Sequence, residues 1–299
     1  MITTELPTWW QVRRSVIIGI SIAYITVLVL LIVFTSKLIF LPPAKFPGTT
    51  PAALRLPFED LHIPVTADSY AHAWYIPAAQ KTSTVLIYFH GNAEVLEDQV
   101  DLVIPLLRGT GANLLLVDFR GYGSSSPARP TGATAADDAR AAMRFLANRG
   151  ISTSDVIIAG RSIGSAIAAQ LAAETPHAGG LILISPISSV ADVANRDWLF
   201  RYLLRPAQLF LGANSLNTAA RIPTIHAPLL ILAGSKDELA EPWMAHKIYD
   251  RANQPKTLQF IEGADHNDIM EPRDGTLERT LASFIARTQT KIESRPSGM

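Results

Sequence analysis

A predicted strand, a turn and the start of a predicted helix follow one another in the stretch Val156-Ile157-Ile158-Ala159-Gly160-Arg161-Ser162-Ile163-Gly164. Its first residues are apolar and mostly β-branched, which predicts a buried strand, and the alanine-rich Ser165–Glu174 predicts a helix. Between them, Gly160–Gly164 matches G-x-S-x-G, in which a sharp turn from strand to helix displays a serine. The stretch therefore predicts that Ser162 is a nucleophile. The alternative is an ordinary helix N-cap serine in a glycine-rich turn.

Outward from this turn, short apolar runs alternate with longer amphipathic segments, as in a parallel sheet covered by helices. Strands buried on both faces are predicted at Val85–Phe89, Leu114–Asp118, Val156–Ala159, Leu181–Ile184 and Leu229–Leu232. A last strand is predicted at Thr257–Ile261, and edge strands leading into the sheet at Leu61–Pro64 and Ala73–Pro77. Helices are predicted over Ala133–Asn148, Ser162–Glu174 and Pro242–Arg251. The predicted fold class is α/β, with a mostly parallel, doubly wound sheet.

Two further residues form a candidate triad with Ser162. Asp237 and His266 each lie in a polar loop just beyond a predicted strand. A serine is activated by a histidine base that a carboxylate orients, and the chain order Ser162, Asp237, His266 is the order typical of this strand arrangement. Of the other histidines, His90 comes before the serine and is predicted to be structural. His246 falls within a predicted helix and is expected on the surface.

With these residues in place, the sequence resembles the α/β-hydrolase family of serine hydrolases over residues 56–290. The resemblance rests on five segments: His90-Gly91-Asn92, Asp118–Ser124, Gly160–Gly164, the Asp237 loop and Gly263–Asn267. Within the family, the chain is similar to membrane-anchored abhydrolase-domain esterases and thioesterases. It is also similar to the serine-aminopeptidase-like group, which shares the short H-G-N turn.

The resemblance implies an oxyanion hole, but it does not decide which carboxylate orients the histidine. In this family the turn after the first buried strand supplies one half of the oxyanion hole and the residue after the serine supplies the other. The backbone N–H groups of Asn92 and Ile163 are therefore the expected donors. Asp237 is followed by Glu238-Leu239-Ala240-Glu241-Pro242, where relatives usually carry a small apolar residue before the proline. Glu238 thus remains an alternative partner for the histidine.

The N-terminal region predicts a membrane anchor. Val16–Phe34 carries no charge, and a helix of this length matches one hydrocarbon thickness of a bilayer. We predict an anchor over residues 1–37 with 16–34 transmembrane, then a proline-rich linker over 38–55. A cleaved signal peptide is the alternative, but its apolar core is shorter and a small-residue cleavage pattern follows it. Arg13 and Arg14 favour a cytoplasmic N-terminus and an extracytoplasmic catalytic domain.

The remaining regions complete the predicted organisation. Residues 56–290 are predicted to form the catalytic domain, and 291–299 a flexible tail. Ser185–Pro228 occupies the place of a short cap. Its apolar residues, which lie mostly between Trp198 and Leu211, fit either an acyl-binding cover over Ser162 or a helix packed on the sheet edge.

The composition excludes several classes of site and function. The 299 residues include 26 Lys+Arg and 26 Asp+Glu, so the zero net charge gives no electrostatic case for nucleic-acid binding. The lack of cysteine excludes a disulfide scaffold, a thiolate metal site and a cysteine nucleophile. No ligand cluster or phosphate-binding loop in the sequence implies a metal or organic cofactor. We therefore expect a single-pass membrane serine hydrolase that needs no cofactor and cleaves an acyl ester or thioester. The alternatives are a peptidase with the same triad and a non-catalytic, membrane-tethered binding protein.

Overall fold

A computed structural model describes residues 8–44, 48–271 and 273–293. Within these ranges the chain forms one eight-stranded sheet of β1 (Glu59–Thr66), β2 (Ser69–Ile76), β3 (Val85–Phe89), β4 (Asn113–Val117), β5 (Val156–Arg161), β6 (Gly180–Ile184), β7 (Leu229–Gly234) and β8 (Lys256–Ile261). The spatial order is β1-β2-β4-β3-β5-β6-β7-β8. β1 pairs with β2 and β2 with β4 in antiparallel fashion, whereas β3 to β8 run parallel.

The helices described in these ranges are α1 (Thr8–Ile39), α2 (Val103–Arg108), α3 (Gly132–Asn148), α4 (Ile163–Glu174), α5 (Val190–Ala194), α6 (Arg205–Gln208), α7 (Thr218–Arg221), α8 (Pro242–Arg251) and α9 (Thr276–Glu293). Short 3₁₀-helices lie at Pro51–Leu54, Leu96–Gln99, Thr153–Asp155, Gly212–Ser215 and Ile222–Thr224, and a π-helical turn at Leu199–Leu203. α5, the π-helical turn and α6 belong to the predicted cap region.

The hydrophobic core lies on both faces of the sheet. Ala139 of α3, Ile167 of α4 and Ile248 of α8 belong to one buried cluster, and Ile104 of α2 and Ile285 of α9 belong to the other. Every residue of β3 to β7 is buried, because helices cover both sides of these strands. The predicted fold class, a mostly parallel and doubly wound α/β sheet, is confirmed.

One prediction about the sheet is wrong. Ala73–Pro77 was expected as an edge strand, but β2 lies between β1 and β4 and pairs with both. A short turn joins β1 to β2, and strands joined in this way pair with each other in antiparallel fashion. Because the other side of β2 pairs with β4, β1 is left at the edge. In the described part of the chain, the edges are β1 and β8.

The N-terminal helix is longer than the predicted span. α1 has 32 residues, which at 1.5 Å per residue is about 48 Å and exceeds a hydrocarbon core of about 30 Å. Among the described residues, Trp9–Ile39 is the helical segment whose length and composition allow it to cross a membrane. It continues beyond Phe34 and two residues into the predicted linker. Phe40 then packs into the domain core, where its apolar side chain is shielded from water.

Four predicted segments lie partly outside the described residues. The parts outside are residues 1–7 of the anchor, 45–47 of the linker, 272 of the catalytic domain and 294–299 of the tail. At the C-terminus, α9 extends to Glu293, which is inside the segment 291–299 predicted as a tail.

Candidate active site

Ser162 lies on a strained turn between β5 and α4. Its φ is 52° and its ψ −120°, a region that residues with a side chain rarely adopt. The side chain makes no capping hydrogen bond to α4, so the N-cap alternative does not describe it. Because β5 ends at Arg161, the turn holds the serine at the carboxyl edge of the parallel sheet, where ligands bind in open α/β folds.

The two glycines of the turn are required by close approaches of the backbone. A Cβ on Gly160 would lie 2.2 Å from the carbonyl oxygen of Gly164. A Cβ on Gly164 would lie 2.3 Å from the carbonyl oxygen of Phe89 in β3. Both distances are far inside van der Waals contact, and the opposing atoms are backbone. The spacing G-x-S-x-G therefore lets α4 start directly against the sheet.

His266 links Ser162 to Asp237 through hydrogen bonds. Its Nε2 lies 2.9 Å from Ser162 Oγ, and its Nδ1 lies 2.9 Å from Asp237 Oδ2. The Asp237 carboxylate accepts a hydrogen bond from Nδ1 of His266. This favours the neutral tautomer that carries its proton on Nδ1, so Nε2 can accept a hydrogen bond from the serine hydroxyl. The other oxygen of the fully buried Asp237 carboxylate accepts from the amides of Leu239 and Ala240.

The structure separates these residues from the other candidates. Glu238, the alternative carboxylate, is exposed, so Asp237 is the acid that meets His266. His246 is exposed on α8, as expected, with its ring 5.2 Å from that of Phe260. His90 is fully buried, and its Nδ1 lies 2.7 Å from the carbonyl oxygen of Gly91, which fits a structural role.

The two expected oxyanion donors lie on neighbouring turns. β3 and β5 are adjacent strands, and Phe89 is paired with Gly160, so the segments that follow them meet at the sheet edge. Asn92 and Ile163 line the same cavity as Ser162. Ile163 is the first residue of α4, and the first N–H groups of a helix have no partner within it. Their role as oxyanion donors remains a prediction.

An ion pair that sequence reasoning missed connects the three loops of the site. Arg161 forms a salt bridge with Glu94, and its guanidinium also donates to the carbonyl oxygen of His266 at 2.7 Å. Glu94 in turn accepts a hydrogen bond from the amide of Gly91 at 2.9 Å. Arg161 occupies a variable position of G-x-S-x-G, and no spacing rule joins it to Glu94, so the sequence carries no signal for this pair.

The buried Asp118 contacts the segment that follows β3. Asp118 Oδ1 accepts from the amide of Leu96 at 3.0 Å and lies 3.3 Å from His90 Nε2. Burial alone would raise the pKa of Asp118, but the imidazoles of His72 and His90 beside it outweigh burial and hold this pKa below its usual range. A charged Asp118 therefore fixes the segment that carries the expected oxyanion donor, which agrees with the structural role implied for this region.

A cavity of about 590 Å³ lies over Ser162, in the size range of small-molecule sites. Its walls are largely apolar and come from the cap and from the end of α1: Leu31, Leu38, Ile39, Leu41, Ile187, Val190, Val193, Phe200, Leu204 and Leu211. Other apolar cap residues, including Trp198, Leu209 and Phe210, are exposed instead. Within the described residues, no group of three or more histidine or acidic side chains is arranged to hold a metal.

Comparison with known proteins agrees with the fold. Residues 84–209 match the sequence model of the alpha/beta hydrolase fold. An uncharacterized protein of Mycobacterium tuberculosis is 31% identical, over 85% of this chain and 87% of its own length. Alpha/beta hydrolase domain-containing protein 17B of Homo sapiens is 31% identical, over 71% and 70%. The esterase Pf2001 of Pyrococcus furiosus superposes with a TM-score of 0.68 at 22% identity, over 82% of this chain and 98% of the esterase.

Proposed function

The chain belongs to the alpha/beta hydrolase family, and we propose that it is a membrane-anchored serine hydrolase that cleaves carboxylic ester or thioester bonds. The observation that carries this proposal is the hydrogen-bonded series from Asp237 through His266 to Ser162, beneath a largely apolar cavity. A strained nucleophile, an oriented base and a nearby pair of backbone donors are the parts that acyl transfer needs.

Acylation begins at Ser162. As its Oγ attacks the substrate carbonyl, the hydroxyl proton moves to His266 Nε2, which lies 2.9 Å away. The buried Asp237 carboxylate stabilises the imidazolium that forms. Negative charge develops on the carbonyl oxygen, and the N–H groups of Asn92 and Ile163 stabilise it.

The same groups complete acylation and then carry out deacylation. When the tetrahedral intermediate collapses, His266 returns its proton to the leaving alcohol or thiol, and the acyl group stays on Ser162. His266 then takes a proton from water, and the resulting hydroxide attacks the acyl-enzyme carbonyl. The second collapse releases the carboxylic acid and restores the serine hydroxyl.

The chemistry of the cavity favours an acyl chain over a free amino terminus. Of the described residues that line it, Glu94 is the acidic one, and Arg161 neutralises this carboxylate. An aminopeptidase needs an unpaired acid to hold the substrate ammonium. Apolar walls instead stabilise alkyl groups by about 0.8 kcal/mol for each methylene removed from water. The ester or thioester of an acyl chain is therefore the proposed substrate.

The position of α1 supports a membrane-bound source of that substrate. Tyr24, near the middle of the helix, donates from its hydroxyl to the carbonyl oxygen of Leu203 in the cap at 2.6 Å. Exposed apolar cap residues, among them Trp198 and Phe210, lie in the same region of the chain. This contact places the cap against the helix that carries the predicted transmembrane segment. Arg13 and Arg14 support the extracytoplasmic side for the catalytic domain.

The proposal predicts a dependence on acyl chain length that a cap variant shifts to shorter chains. For the full chain in lipid vesicles, kcat/KM for acyl esters and thioesters should rise by about fourfold per methylene until the cavity is full. Ala207 lines the cavity, so Ala207→Trp should shorten the preferred chain and leave acetyl ester turnover close to that of the parent. Leu209→Trp, at an exposed cap position, is the matched control and should keep the parental profile.

Three outcomes would contradict the proposal. Aminoacyl amides that are cleaved faster than esters would indicate a peptidase. No turnover of any ester, thioester or amide by folded protein would indicate a binding protein. A flat profile across acetyl, octanoyl and palmitoyl substrates would remove the acyl-binding role of the cavity.

A further inference from the structure

The end of α1 is held by the side chain of Asn92. Asn92 Nδ2 donates to the carbonyl oxygen of Ile39 at 2.8 Å, and Asn92 Oδ1 accepts from the amide of Leu41 at 2.9 Å. The amide thus binds the backbone on both sides of Phe40, whose ring is buried in the domain core. The hydroxyl of Tyr122 donates to the same Oδ1 at 2.9 Å, which further fixes the side chain.

We propose that the Asn92 side chain is a positioning group that joins the end of α1 to the oxyanion turn, by which we mean residues 91–95 after β3. This inference rests on the proposed function, in which the backbone N–H of Asn92 stabilises the oxyanion. Both backbone and side chain belong to one residue, so fixing the side chain on Ile39 and Leu41 restricts the torsions that aim the N–H. Oxyanion donors contribute to catalysis only when they are preorganised. α1 is then a part of the active site rather than a tether alone.

The cavity supports the same conclusion independently. Leu31, Thr35 and Leu38 from α1, and Ile39 and Leu41 at its end, line the cavity that contains Ser162. α1 therefore supplies one wall of the acyl site, and the backbone at its end binds the Asn92 side chain of the oxyanion turn. A site with these residues removed would be open on one side and would lack the contacts that fix Asn92.

A second connection between α1 and the domain provides a matched control. Arg129 Nε donates to Ser36 Oγ at 2.7 Å, and a terminal nitrogen of Arg129 donates to the carbonyl oxygen of Val33 at 2.8 Å. Like Asn92, this side chain makes two hydrogen bonds to the end of the helix. It does not line the cavity and makes no hydrogen bond to the oxyanion turn. Arg129→Ala therefore weakens the docking of α1 and leaves the turn intact.

The test compares Asn92→Ala with Arg129→Ala in the full chain, in detergent micelles, with a short soluble acetyl ester. Loss of one whole oxyanion donor costs about 10²- to 10³-fold in kcat, and misaiming the donor should cost part of this, about 10- to 100-fold. The KM of Asn92→Ala should stay close to the parental value, because the donor acts in the transition state. Arg129→Ala should keep the parental kcat.

Amide hydrogen exchange gives a readout that does not need turnover. In Asn92→Ala the amide of Leu41 loses its acceptor, so exchange at Leu41 should accelerate, whereas in Arg129→Ala it should not. Tyr122→Phe removes only one hydrogen bond to Asn92 Oδ1. Tyr122→Phe should also lower kcat, by a smaller factor. It takes the place of Asn92→Ala in the test if Asn92→Ala does not fold.

The outcomes separate this inference from the proposed function. A parental kcat in Asn92→Ala, an equal loss in both variants, or unchanged exchange at Leu41 would overturn the inference. If the parent hydrolyses no ester, the proposed function fails. Faster exchange at Leu41 in Asn92→Ala alone would still support the link between α1 and the turn. Unchanged exchange there would overturn that link also.

Discussion

Replacing Ser162 with alanine is expected to lower kcat for ester hydrolysis by about 10⁴- to 10⁶-fold, because the nucleophile of the acyl-enzyme is lost. The Cβ remains and the side chain is nearly buried, so the turn and the fold should persist. The measurement is steady-state turnover of an acetyl ester by the full chain, with circular dichroism as the check on folding.

Variants of His266 and His246 provide the controls for this result. His266→Ala should be about as harmful as Ser162→Ala, and the double variant should be no worse, since the two residues act as one unit. His246→Ala, on the exposed face of α8, should be close to the parent. Ester turnover by Ser162→Ala within about tenfold of the parent would contradict the assignment of the nucleophile, since loss of a true nucleophile costs far more.

Exchanging Asp237 for asparagine is expected to lower kcat by about 10⁴-fold, as loss of the orienting carboxylate does in serine proteases. The amide keeps the shape of the side chain, but it can no longer stabilise an imidazolium, and its NH₂ group favours the wrong tautomer of His266. The two hydrogen bonds from Leu239 and Ala240 can persist through the amide oxygen. Turnover of an acetyl ester measures the effect.

Glu238→Gln is the matched control for Asp237→Asn. Both changes neutralise one carboxylate in the same loop, but Glu238 is exposed and Asp237 is the acid 2.9 Å from His266. The Glu238 variant should therefore have nearly parental kcat. If it were the more damaged of the two, the carboxylate that orients the histidine would be Glu238.

The sheet and the elbow could be predicted because their signals are local. Buried parallel strands appear as continuous apolar runs, and the structure has β3 at Val85–Phe89 as predicted. The structure shows why the pattern needs glycines at 160 and 164, because backbone oxygens approach both positions closely. Chain order then assigned Asp237 and His266, since a polar loop after each late strand must lie at the carboxyl edge.

The contacts of α1 and the ion pair at the site could not be predicted from sequence. Hydrophobic periodicity shows that a helix is apolar, but it does not show where the helix ends or what its last residues contact. The prolines at 42 and 43 suggested an extended linker, whereas Phe40 is buried and Asn92 binds the backbone beside it. These interactions, like that between Arg161 and Glu94, join segments far apart in the chain.

The measurement that tests the proposed mechanism most directly is the site at which a fluorophosphonate probe attaches to the full chain. After labelling, proteolysis and mass spectrometry identify the modified residue. The proposal predicts a single adduct on Ser162, absent from Ser162→Ala and formed far more slowly in His266→Ala, because His266 activates the hydroxyl. An adduct on a different serine, or no adduct on folded protein, would contradict it.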